Sequence, residues 1–143
     1  MPGIVVGVDG SSGSHRALDW AAREAGARRA ALTVLSVHQV AVSFWTGSSI
    51  IYTADKDLQE TARQLVEENV HKVLADLNGS APAEVTVTVV NGAIAEELLT
   101  AAKDADLLVV GSRGGGGFGS LRLGSVSSQV VAHAACPVVV VPS

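Results

Sequence analysis

Glycines at positions 111 and 114, followed after nine intervening residues by Gly124-Ser125, form the spacing in this chain with the clearest chemical meaning. They follow a short apolar run, Leu107–Val110, and lead into helix-like sequence beginning near Ser125. A strand that passes through glycine-rich turns into a helix start outlines a phosphate cradle. Glycine removes the Cβ that would hold an oxyanion off the backbone, and the free N–H groups of a helix's first turn face the bound charge. A second candidate ends the first apolar run, in Gly7-Val8-Asp9-Gly10-Ser11. The Asp9 carboxylate can accept hydrogen bonds from a base or ribose, or hold a metal. Its alternative role is to cap the first helix or tighten the turn.

Other polar residues carry weaker signals. Arg113 and Arg122 flank the glycines and can neutralise phosphate charge, although no spacing rule turns Arg122 inward and it reads as solvated. His15, at the start of the first helix, reads as exposed. His38, His71 and His133 show no metal-ligand spacing with one another or with Cys136, and read as structural. Cys136, directly before Pro137, reads as a small buried apolar residue.

The elements that must position these groups alternate along the chain. Ile4–Asp9, Leu32–Val37, Val85–Val90, Leu107–Val110 and Val138–Val141 are short, β-branched runs bounded by polar or turn residues. Between them lie four helical patterns. Ala17, Leu18, Ala21, Ala22 and Ala25 share one face, with Ser14 as N-cap and Gly26 as the stop. The longest pattern runs from Leu58 through Leu65, Val66, Val70 and Val73 to Leu77 and closes at Asn78-Gly79. Ile94, Leu98 and Ala102 mark the third helix, and Val126, Val130 and Val131 the fourth. Five strands alternating with four helices predict an α/β fold: a parallel sheet covered by helices on both faces. Gln39–Thr53 interrupts the rhythm with Phe44, Trp45 and Tyr52. Its length fits a lid or partner surface, or a surface loop that packs its own rings on the long helix.

Composition limits the function classes. A chain of 143 residues with 48% hydrophobic residues fits one domain, here residues 1–143, and only 3% aromatics leaves the core to Val, Leu, Ile and Ala. A net charge of −4 argues against nucleic-acid and anionic-membrane partners. The lone cysteine forms no internal disulfide, and no apolar run approaches the roughly 20 residues of a membrane helix, so a cytoplasmic location is expected.

Gly-Val-Asp-Gly-Ser after the first strand, Val-Val-Gly-Ser-Arg-Gly after the fourth, Gly-Ser nine residues on and the closing Pro-Val-Val-Val-Val-Pro resemble the universal stress protein family. The resemblance runs from Ile4 to Pro142, and the spacing G-x-x-G-x(9)-G-[S/T] is that of its ATP-binding branch. It implies a doubly wound five-stranded parallel sheet ordered 3-2-1-4-5. It also implies that Asp9 and the backbone at Val37 hold adenine while Val110 and Gly111 lie against the ribose. Gly114, Gly124 and Ser125 would take the phosphates, with Arg113 beside them. The Ser125 hydroxyl suits a phosphate oxygen or a magnesium shell, and suits equally the N-cap of the fourth helix. The implied order leaves Val138–Val141 as an apolar edge, and homodimers built on that strand are common in the family.

Enzyme readings find little support. There is no G-x-x-x-x-G-K-[S/T] and no G-x-S-x-G, which excludes a P-loop NTPase and an α/β-hydrolase. The turn Val-Asp-Gly-Ser-Ser-Gly-Ser lacks the paired glycines of adenylyl-transferring relatives, and no general base stands ready to activate water. No catalytic residue is assigned. The expected function is an adenine-nucleotide-binding regulatory protein taking ATP, or another adenine nucleotide, with magnesium. The alternatives are a slow ATPase or adenylyl-transfer enzyme and a nucleotide-free dimeric scaffold.

Overall fold

The computed structural model describes residues 3–9, 12–38, 42–43, 50–51, 56–77, 79–112 and 124–142. The β-branched runs become strands β1 (Ile4–Val8), β2 (Ala31–His38), β5 (Glu84–Asn91), β6 (Leu107–Gly111) and β7 (Val138–Val141). The helical patterns become α1 (Ser12–Arg28), α2 (Lys56–Ala75), α3 (Ile94–Ala102) and α4 (Ser125–His133). The sheet runs β5-β2-β1-β6-β7 with every neighbouring pair parallel, which is the expected 3-2-1-4-5 order of the five long strands. Two further strands, β3 (Val42–Ser43) and β4 (Ile50–Ile51), form a separate antiparallel pair inside the segment expected to be an irregular loop. The rest of Gln39–Thr53 lies outside the described residues.

Alternation along each strand divides the core between two faces. Ile4, Val6, Val34, Leu107 and Val109 pack against α1 and α2, while Val5, Leu35, Leu108 and Val110 pack against α3 and α4. Helices on both sides explain why the central strands read as unbroken apolar runs. In α1 the four buried alanines, at 17, 21, 22 and 25, allow the helix axis to lie close to the sheet.

Several local expectations are corrected. Gly26 does not stop α1, which continues to Arg28 before Arg29 takes a left-handed φ of 53°. Glycine is needed at 26 because a Cβ there would stand 1.7 Å from the carbonyl oxygen of Ser80. Ser14 is not the N-cap of α1, which begins at Ser12. Leu65 and Val131 do not belong to the core: they are 57% and 49% exposed. Each is adjacent to a residue that does pack inward, Val66 and Val130, and lies about 100° round the helix from it, on the side turned toward solvent.

Candidate functional site

β1 and β6 are neighbours at the centre of the sheet. The helix after β1 packs on one face, and the helix after β6 packs on the other. Such a divergence opens a crevice at the carboxyl ends of the strands, where ligands of open α/β sheets sit. A cleft of about 200 Å³ lies there. It is lined by Asp9, Val37, Val110, Gly111, Gly124 and Ser125, so the expected site residues that are described converge on one place. Arg113, Gly114 and Arg122 lie outside the described residues. Ile94 and Leu98 of α3 and Val126 of α4 give the cleft an apolar wall.

Short backbone bonds fix its floor. The Asp9 N–H donates to the Oγ of buried Ser14 at 3.2 Å, joining the end of β1 to the first turn of α1. Gly111 passes so close to that turn that a Cβ on it would lie 3.1 Å from the Gly13 carbonyl oxygen. The next residue, Ser112, donates its N–H to the Val141 carbonyl at 2.9 Å. The Ser112 carbonyl accepts the Gly124 N–H at 2.7 Å, which closes the excursion between β6 and α4 at its base.

The start of α4 differs from one expectation. Gly124, not Ser125, is the N-cap: its φ and ψ are −62° and 162°, and its carbonyl accepts the Ser128 N–H at 2.9 Å. Ser125 is therefore the first helical residue, exposed at the rim of the cleft rather than folded back as a cap. The N–H groups of Ser125, Val126 and Ser127 belong to the first turn, where the helix itself supplies no acceptor. All three residues line the cleft. Ser127 was missed from sequence. It is buried, 4% exposed, and its hydroxyl donates to the Gly111 carbonyl oxygen at 2.5 Å. A serine inside a helix carries no sequence signal of its own, and only the register of α4 against β6 reveals the bond. An apolar wall facing a row of backbone donors suits a ligand with a flat, weakly polar body and an anionic end.

Residues outside the cleft fall elsewhere. His15 is exposed, as expected. His71 and His133 are exposed as well, so they are surface side chains rather than structural ones. Cys136 is only half-buried, and loss of solvation pushes its thiol above the ordinary range. Among the described residues, no three His, Cys, Asp or Glu side chains gather as a metal site, and no helix is long and apolar enough to cross a membrane.

A model of the universal stress protein family matches residues 2–142. The chain belongs to the universal stress protein family. A universal stress protein of Mycobacterium tuberculosis is 38% identical over 152 residues, which take in 98% of this chain and 48% of that protein. The chain thus spans about half the length of the curated relatives it matches. Among solved structures, UspA of Lactobacillus plantarum superposes with a TM-score of 0.77 at 23% identity, covering 98% of this chain and 97% of its own. Two other universal stress proteins of the same fold are each 24% identical. One, solved with cAMP, has a TM-score of 0.66 and coverage of 99% and 96%. The other, from Archaeoglobus fulgidus, was solved with dAMP and has a TM-score of 0.61 and coverage of 99% and 98%.

Proposed function

We propose that this protein binds an adenine nucleotide, ATP with magnesium in particular, in the cleft between β1 and β6, and acts in the cytoplasm as a regulatory protein rather than as an enzyme. The observation that carries the reading is the convergence of Asp9, Val37, Val110, Gly111, Gly124 and Ser125 on one cleft that ends in the first turn of α4. Asp9 and the Val37 backbone would take the base against the apolar wall of Ile94 and Leu98. Val110 and Gly111 would lie along the sugar. The N–H groups after Gly124 would take the phosphates, with Arg113 and Gly114 assigned to the same end from the sequence spacing alone. The structures with cAMP and dAMP support the ligand class.

Magnesium fits the donors on hand. It keeps several waters and is held mostly by substrate phosphates with one or two protein oxygens, and the rim hydroxyl of Ser125 is such an oxygen. When bound, the ion neutralises phosphate charge. The protein's own contribution is the row of N–H donors and the exclusion of water by the apolar wall. Calorimetric titration with ATP, AMP and GTP in magnesium buffer tests the reading. Binding of ATP and AMP with no response to GTP is expected, and absence of any adenine-nucleotide binding would overturn it.

We further propose a homodimer through β7. All four of its valines are half-buried although the strand lies at the edge of the sheet, and half-exposed Val131 adds apolar surface on the helix that precedes it. An apolar edge of this kind invites another strand, and Pro137 and Pro142 limit the pairing to the residues between them. Light scattering should give about twice the chain mass of 14.5 kDa, and Val140→Asp should give monomer or insoluble protein. A wild-type monomer at high concentration would refute the pairing.

A further inference from the structure

We infer that Ser127 is a positioning residue that makes the cleft selective for the anionic part of its ligand. The inference rests on the nucleotide reading above and deepens it. Two backbone carbonyls stand at the tip of β6, those of Gly111 and Ser112. A carbonyl oxygen is the negative end of the peptide dipole, and one left facing the phosphate end would repel the group that the α4 N–H donors attract. Each of the two oxygens is engaged. The Ser112 oxygen accepts the Gly124 N–H at 2.7 Å, and the Gly111 oxygen accepts the Ser127 hydroxyl at 2.5 Å.

The second bond is the informative one, because it comes from a side chain and not from the fold's backbone. Ser127 lies on the third residue of α4, is 4% exposed and lines the same cleft as Gly111. Its hydroxyl draws the Gly111 oxygen toward the helix and partly neutralises it. The same bond sets the height of α4 on the strand, and so the direction in which the N–H groups of Ser125, Val126 and Ser127 point. Ser127 does this without touching the ligand through its hydroxyl, whose proton is already committed. Its loss should therefore weaken the phosphate contacts and leave the base contacts, made at Asp9 and Val37, as they were.

Calorimetry with AMP and adenosine on the wild type and on Ser127→Ala separates these effects. The ratio of adenosine to AMP dissociation constants should fall about tenfold in Ser127→Ala, the size of one hydrogen bond near a charged group. Adenosine affinity should stay within about twofold, the spread expected of a site that has lost no contact. Ser127→Thr, which restores a hydroxyl donor, should recover most of the ratio. Should Ser127→Ala fail to fold, Ser127→Cys keeps the bulk, weakens the donor and must lower the ratio in the same direction. An unchanged ratio in the folded variants, or equal weakening of AMP and adenosine as a merely structural role would give, overturns the inference alone. A wild-type protein that binds neither ligand overturns the nucleotide reading and this inference with it.

Discussion

Val8, Asp9 and Ser14 are shared by two clefts, one walled by α3 and α4 and the other by α1 and α2. Their volumes are similar, about 200 and 150 Å³. What differs is the wall. The first cleft is bounded by Gly7, Gly111 and Gly124 and by the opening turn of α4, so backbone N–H groups reach its surface. The second is bounded by Ala62, Leu65, Val66 and Asn69, from the middle of α2, where N–H groups are engaged in intrahelical bonds and only side chains face outward. Space of the right size is common at the end of a strand. A place where the backbone itself can donate to an anion is not, and it depends on where a helix starts.

That contrast can be broken in graded steps. The largest effect is expected of Gly124→Val. Its φ and ψ suit any residue, so the domain should fold with a modest drop in melting temperature. The branched side chain would stand where the phosphate approaches, and the loss of two or three charge-assisted bonds should weaken ATP binding by at least about a hundredfold by calorimetry. Asp9→Ala removes the one acid that lines both clefts among the described residues, and about a tenfold loss is expected for AMP and adenosine alike. Ser125→Ala deletes a rim hydroxyl that is not a cap, so a loss of about fivefold confined to the phosphorylated ligands and no change in stability should follow. The smallest effect belongs to the other cleft. Leu65→Ser changes a side chain that is 57% exposed, and nucleotide affinity should not move. A strong loss in Leu65→Ser with none in Gly124→Val would reverse the assignment of the two clefts. Hydrolysis offers an independent check: on the regulatory reading, ATP turnover should stay below about 1 per second, and a faster rate abolished by Asp9→Asn would make the protein an enzyme.

Which of these features the sequence reveals follows from how local their causes are. Asp9 and Gly111 are legible because each sits where a strand ends, and Gly124 because it stands directly before the helical pattern of α4. The strand order is legible once the spacing of those turns is joined to the family resemblance. Gly26 misleads, because a glycine that ends a helix and a glycine that makes room for Ser80 look identical in sequence. Ser14 and Ser125 mislead similarly: a serine near a helix start suggests a cap, yet one accepts a bond from Asp9 and the other lies one residue past the cap. Ser127 is silent for the opposite reason. Its partner, Gly111, is remote in the chain, and only the seating of α4 on β6 brings the two together.

The most direct measurement is a titration of the isotopically labelled protein with AMP, followed by the backbone amide resonances. The largest shifts should fall on Gly111, Gly124, Ser125, Val126 and Ser127, with smaller ones at Asp9 and Val37. Shifts confined to Ala62–Asn69 along α2, or none at saturating AMP, would contradict the placement of the phosphate at the start of α4.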